Sequence, residues 1–368
     1  MKLLILGGTA WLGHRTALAA AAEGHQVTCA ARGISGAPPS GAAFLSIDRD
    51  ADGGLAEAAG QQWDAVIDVS RQPGQVRRAV RDLADAADFY VFVSTGNVYA
   101  SQKECGQDED APLLPPLTSD VMESMESYGP AKVACEQAVT SGFGPSRRAI
   151  VRAGLIGGPG DTSGRSGYWP MRFAHPADAG GRVLVPEAGA QPTQLIDVRD
   201  LAQWLVDLAR ERTAGIFNAV GDTVPLAQHL AAAAAASAAA GPGTLLPEHE
   251  PASTGAAGEE RGSAVAVAQQ WLREQGVGEW SGPRSLPLWL EDQDWQGMNA
   301  RSNARARRAG LTLRPLEQTL ADTLAWEENE GIDRPRGAGL SGNEERELLA
   351  RLDAGPGAVT AGRGKAES

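Results

Sequence analysis

The sequence predicts an α/β protein, a doubly wound parallel sheet with a smaller, mainly C-terminal lobe. Three observations point there. The apolar run at residues 3–6 breaks at Gly7-Gly8 and passes into a helix-forming stretch near Leu12-Gly13, a strand–turn–helix opening that presents backbone N–H groups to an anion. Apolar, β-favouring segments then alternate with helix-patterned ones, as parallel strands joined by crossover helices require. Past residue 222 that alternation stops, and alanine-rich, polar and tryptophan-containing stretches follow.

Taken in order, residues 12–23 are alanine-rich and favour helix, with Gly24 where a C-terminal cap is expected. Residues 25–31 form a second strand and complete the first βαβ unit. A short strand at 43–47 precedes Asp48, and 65–69 read as a buried strand ending at Val69 and Ser70. Residues 75–87 place Val76, Val80, Leu83 and Ala87 on one helical face. The run 89–93 is a fully apolar strand that ends at Ser94-Thr95. Residues 102–121 are acidic and contain proline, so they read as a loop. A helix opens at Tyr128-Gly129-Pro130 and runs to about Val139, with Pro130 tolerated in a first turn. Residues 149–155 form one strand through Gly154 and Leu155, Asp200 is the N-cap candidate for a helix at 201–210, and 215–220 form a last strand. Helices are expected at 226–242, 264–275, 299–309 and 316–329, with a mobile insertion near 243–262 and a disordered tail at 354–368.

Composition narrows the function. The chain has 368 residues and a net charge of −13, which disfavours general nucleic-acid binding. Three cysteines (Cys29, Cys105, Cys135) lack paired or metal-ligand spacing, and five histidines are scattered, so no metal site is expected. Reduced thiols, no signal-peptide pattern and no apolar run long enough to cross a bilayer point to a cytoplasmic protein without a membrane partner.

The chemistry rests on a few residues. Gly7 suits the tight turn, Gly8, Thr9, Trp11 and Leu12 surround it, and Gly13 lets the helix approach the sheet; Ala10 stands where a third glycine often does. An acid at the end of the second strand would bind the ribose hydroxyls of NAD. That place holds Ala31, followed by Arg32, which suits a 2′-phosphate or is simply solvated, so NADP(H) is favoured over NAD(H). Asp48 is either an adenine contact or a solvated loop acid. Tyr128 and Lys132 are four apart on one helix face, where an ammonium would lower the phenol pKa and make it a usable acid/base. Thr95 or its neighbour Ser94 could offer a hydroxyl to the reacting oxygen. Arg165, Tyr168, Trp169 and Arg172 suit an anionic or sugar ligand, or anchor the lobe.

The turn Gly7–Gly13 and the groups Ser94-Thr95-Gly96-Asn97-Val98-Tyr99, Tyr128-Gly129-Pro130-Ala131-Lys132 and Ile196-Asp197-Val198-Arg199-Asp200 appear in the order of the extended short-chain dehydrogenase/reductases. The chain resembles that superfamily's extended and atypical branches, in the NAD(P)-dependent epimerase/dehydratase group. The resemblance implies a Rossmann-type fold, with 1–163 a dinucleotide-binding domain, 164–193 a substrate-lobe segment, 194–222 a return to the first domain and 223–353 the substrate lobe. It implies Tyr128 as acid/base, Lys132 on the ribose hydroxyls and Thr95 on the substrate oxygen. Val69, Ser94, Gly154 and Leu155 would border the cofactor, and Ser70 the substrate. The expected partner is a small-molecule substrate, and a homodimer is possible by resemblance. Two other readings stand beside this one: a nucleotide-sugar epimerase or dehydratase that retains its cofactor, and a non-catalytic nucleotide-sensing or RNA-binding relative.

Overall fold

The structure, a computed structural model, describes residues 1–239 and 262–355. Its elements begin with β1 (Lys2–Leu6), α1 (Trp11–Ala22), β2 (Gln26–Ala31), β3 (Ala42–Ser46), α2 (Ala56–Ala59), β4 (Trp63–Asp68), α3 (Pro73–Leu83) and β5 (Ala87–Thr95). They continue with α4 (Tyr128–Gly142), β6 (Arg148–Ala153), β7 (Leu155–Gly157), α5 (Tyr168–Ala174), β8 (Arg182–Pro186), β9 (Pro192–Asp197), α6 (Val198–Glu211), β10 (Gly215–Ala219) and β11 (Thr223–Pro225). The rest are α7 (Leu226–Ala239), β12 (Ser263–Val267), α8 (Gln269–Glu274), β13 (Gly278–Trp280), β14 (Gly282–Pro283), β15 (Ser285–Pro287), α9 (Ala304–Arg308), α10 (Leu316–Glu330), β16 (Ala338–Gly339) and α11 (Gly342–Ala354).

Two compact units result. The first comprises Met1–Gly157, Pro192–Val224 and Asp292–Arg314. The second comprises the described residues of Gly158–Gln191, Pro225–Glu291 and Pro315–Ser368.

In the first unit seven strands pair in the order β10-β6-β5-β4-β1-β2-β3, and every pairing is parallel. The order reverses at β1, between β2 and β4, and ligands of such sheets bind beyond the strands' carboxyl ends at that point. Side-chain alternation explains why both faces need helices. Leu3 and Ile5 join a core with Ala17 and Ala20 of α1 and Leu201, Trp204 and Leu205 of α6. Leu4 and Leu6 join the opposite core with Val76, Val80 and Leu83 of α3 and Val139 of α4. A continuous apolar strand buried on both sides is what the run at residues 3–6 encodes.

The second unit is built on α5, α7 and α10, with the parallel pair β8–β12, two shorter strand pairs and α11. Trp169, fully buried, donates its indole N–H to Pro287 O at 2.8 Å.

Several sequence expectations need correction. Ala87 starts β5 instead of extending α3, because Trp63–Ala87 pairing draws it into the sheet. The strand expected at 149–155 is two strands in different sheets, parting at Gly154. The N-cap of α6 is Asp197, whose side chain accepts from Arg199 N at 2.8 Å; Asp200, one turn in, instead takes Arg314 at 2.8 Å. Residues 263–267 form β12 and not a helix, since pairing with β8 overrides alanine's helix preference. The helix expected from Asn299 begins only at Ala304. Residues Asp292–Arg314 belong to the first unit and not to the lobe, and α11 is a further helix of the second. The insertion expected near 243–262 and the tail from 354 fall almost entirely outside the described residues.

Candidate active site

The turn after β1 has space for backbone and little else. Gly7 has φ +90° and its amide donates to Ala30 O at 2.9 Å. A Cβ on Gly8 would lie 2.6 Å from Cys29 Sγ, and one on Gly13 would overlap the Gly7 carbonyl. Ala10 needs no such allowance: it is exposed in ordinary extended backbone (φ −89°, ψ 162°). The missing third glycine therefore leaves the turn's geometry intact. No side chain caps α1, so its positive end faces the turn without a neutralising group from its own N-cap residue. A cleft of about 150 Å³ opens there, lined by Gly7, Thr9, Ala10, Ala31, Arg32 and Arg49 among others. Trp11 and Leu12 are half-buried in the first turn of α1, and Val69 Cγ2 covers Gly7 from the β4 side.

Arg32 stands at this cleft with its side chain 57% exposed and 3.7 Å from Asp50, a carboxylate that Arg78 also approaches at 3.7 Å. Asp48 is not among the lining residues; it accepts from the Asp50 amide at 3.0 Å and shapes the loop. Arg49, which has no distinguishing signal in the sequence, reaches inward to Asp68 at 3.0 Å and to the Ser70 hydroxyl.

At the carboxyl end of β5 the two hydroxyl candidates separate, because successive strand residues face opposite sides. Ser94 donates to Glu136 Oε1 at 2.5 Å and is committed to the interior. Thr95 lies on the other face, beside Tyr128, and its hydroxyl oxygen accepts from the Asn97 amide at 3.3 Å. Burial raises the Tyr128 phenol above its ordinary value, opposed by the Thr95 hydroxyl and the Arg71 guanidinium. This reverses the sequence expectation of a lowered phenol.

Lys132 is turned into the sheet. Its ammonium donates to Ser70 O at 2.7 Å and Val93 O at 2.5 Å and sits 4.2 Å from the Phe92 ring centre. Burial lowers its pKa, opposed by the nearby Cys135, Asp68 and Glu136. Lys132 thus ties the ends of β4 and β5 together. Ser70, expected at the substrate, is buried with its amide and hydroxyl on Asp68 and its carbonyl on Lys132. Asp68 also accepts from Tyr90 at 2.8 Å.

A second buried network braces the loop after Thr95. Arg152 holds Glu136 through two bonds of 3.0 and 2.8 Å and donates to Tyr99 at 3.1 Å; Tyr99 donates to Asn218 at 2.5 Å, and Glu109 accepts from the Asn218 amide at 2.7 Å. Burial opposes the charge on Arg152, but Glu136 outweighs it and holds the guanidinium above its ordinary value. Arg301 donates to Gly96 O at 3.0 Å and stacks on Tyr99 at 4.4 Å, with burial lowering its pKa to about 10. Asp68 and Arg152 were detectable as single charges inside apolar runs; Glu109 and Arg301 carried no local signal. Gly154 and Leu155 follow β6, the Gly154 amide bonding Ala219 O at 3.2 Å and Leu155 buried.

The remaining candidates lie in the second unit. Trp169 has no exposed surface and packs the core, so it is not a ligand contact. Arg165 lies 5.5 Å from the Trp280 ring centre, while Tyr168 and Arg172 line a cavity of their own. Among the described residues no cluster of metal ligands occurs, and no helix is long and apolar enough to cross a membrane.

A family model for the NAD dependent epimerase/dehydratase family matches residues 3–219, more than half of the chain. The chain belongs to the NAD dependent epimerase/dehydratase family. Membership indicates an enzyme that uses a nicotinamide cofactor. No curated protein matches the sequence. Among solved structures the epimerase/dehydratase chain is similar to a putative epimerase from Burkholderia cenocepacia, at 19% identity and TM-score 0.61, covering 89% of this chain and 98% of that one. It is similar to the Bordetella bronchiseptica enzyme WbmH in complex with NAD+, at 16% identity and TM-score 0.61, covering 90% and 99%. It is also similar to UDP-N-acetylglucosamine 4-epimerase from Bacillus cereus, at 13% identity and TM-score 0.60, covering 91% and 98%.

Proposed function

We propose that this epimerase/dehydratase-family chain is an NADP(H)-dependent oxidoreductase or epimerase that moves a hydride to or from a small hydroxyl- or carbonyl-bearing metabolite. The observation that carries the reading is the placement of Thr95 at the carboxyl end of β5 and Tyr128 at the start of α4, which packs on β5, in the sheet that also bears the glycine turn. The turn fits a dinucleotide because Gly8 and Gly13 are held free of Cβ atoms and α1 has no side-chain cap. Gly7, Gly8, Thr9, Trp11, Leu12 and Gly13 would hold the pyrophosphate, and Arg32 beside Ala31 the 2′-phosphate. When bound, the nicotinamide supplies or accepts the hydride.

Thr95 orients the substrate oxygen, and Tyr128 gives it a proton on reduction or takes one on oxidation. Lys132 acts as a brace: by binding Ser70 O and Val93 O it fixes the strand ends from which Thr95 projects. Its role on the ribose hydroxyls, implied by the resemblance, has no support from these bonds.

A nucleotide-sugar epimerase that retains its cofactor is the second reading, favoured by the similarity to UDP-N-acetylglucosamine 4-epimerase from Bacillus cereus. Incubation with small carbonyl compounds and with UDP-sugars, following NADPH absorbance and product interconversion together, separates the two. Net NADPH consumption with a carbonyl compound is expected. UDP-sugar interconversion without net consumption would replace the first reading with the second.

A further inference from the structure

A cavity of about 570 Å³ lies wholly within the second unit and draws more than half of its lining from residues 332–346. That segment is beyond the stretch 3–219 matched by the family model. Its walls include five arginines, Arg172, Arg284, Arg334, Arg336 and Arg346, together with Tyr168, against two acids, Asp333 and Glu344. In a chain of net charge −13, such a concentration of guanidinium groups is a local exception.

The acids nearby do not use up these donors. Arg334 and Arg336 share one carboxylate oxygen of the buried Glu327, at 2.7 and 3.0 Å. Arg336 also brings Nη2 to 3.0 Å from that oxygen, and Arg334 Nε is left buried without a hydrogen-bond acceptor. Arg172 meets Glu345 at 3.2 Å, and Arg284 meets Glu344 at 3.6 Å. Arg346 donates to neutral groups, Ala177 O at 3.0 Å and the Asn343 side chain. Tyr168 is 3% exposed, and its hydroxyl, beside Arg172 and Leu340, makes no hydrogen bond. Buried donors of this kind are costly unless something accepts from them.

The backbone is shaped around that tyrosine. Gly339, at φ +108°, lies against the Tyr168 ring so closely that a Cβ would overlap it, and its amide donates to Ser285 Oγ at 3.1 Å. Ser341 and Gly342, at the amino end of the 13-residue α11, complete the wall.

We infer that this cavity binds a small molecule through a multiply charged oxyanion group, either phosphate or carboxylate, with Arg334, Arg336, Arg346 and Tyr168 as donors. Guanidinium groups match both oxyanions in geometry and charge. The inference does not depend on the hydride-transfer reading, and its test needs no turnover.

The test is isothermal titration of the full chain with inorganic pyrophosphate and, separately, with citrate. Saturable one-site binding of at least one is expected, and the tighter of the two identifies the phosphate or the carboxylate source. Arg346→Gln, whose partners are neutral groups, should weaken that binding by about tenfold. Tyr168→Phe, which removes only the orphaned hydroxyl, should weaken it less while leaving thermal unfolding unchanged. Absence of saturable binding for both anions, or wild-type affinity in both variants, would overturn the inference.

Discussion

Replacing Tyr128 with Phe is expected to lower kcat by about 10²–10⁴-fold while NADPH affinity stays essentially unchanged. The ring is retained, so packing at the start of α4 is undisturbed, and only the proton-carrying oxygen beside Thr95 is lost. The direction of the pKa shift gives the pH dependence. Burial raises the phenol, so at neutral pH Tyr128 holds its proton and is ready to donate it to a carbonyl oxygen. Carbonyl reduction should therefore be level through neutral pH and fall only as pH rises through the raised phenol value. Oxidation of the alcohol should rise over that same alkaline range. Arg71→Met removes a cation that opposes the raised value, so the alkaline limb should move to higher pH. A Tyr128→Phe variant with wild-type kcat would remove the phenol from the mechanism.

Arg152→Met carries the largest expected cost to stability. Arg152 and Glu136 are 2% and 4% exposed, and the substitution strands a buried carboxylate that also receives Ser94. Breaking such a pair from one side typically costs about 3–5 kcal/mol. Urea unfolding of the first unit, followed by intrinsic fluorescence, should show a midpoint lowered to match. The double variant Arg152→Met/Glu136→Gln should recover part of the loss, because the stranded charge is then gone. A loss below about 1 kcal/mol in the single variant would show that the pair is not the brace described. Activity should fall with stability, since Arg152 also holds Tyr99 behind the loop that follows Thr95.

The residues legible in the sequence are those whose constraints are local. Gly7 and Gly13 are set by the turn itself, and the four-residue spacing of Tyr128 and Lys132 follows from one helix. What each group bonds depends on strand order. Lys132 reaches Ser70 O and Val93 O, separated from it by 62 and 39 residues, and no spacing pattern encodes those partners. The choice between Ser94 and Thr95 was open in sequence because it turns on Glu136, a helical glutamate that reads as solvated until β6 brings Arg152 to it. Residues 263–267 read as helix from alanine and valine content, and only β8 makes them a strand. Arg301 reaches Gly96 from 205 positions away, which places its role beyond any local reading.

Everything proposed for the site begins with a dinucleotide seated at the Gly7–Gly13 turn and recognised through Ala31-Arg32. The most direct measurement is a fluorescence titration of the wild-type chain and an Arg32→Ala variant with NADPH and NADH. The wild type should bind NADPH about tenfold more tightly than NADH, and Arg32→Ala should remove most of that preference. Equal or tighter binding of NADH by the wild type would contradict the account.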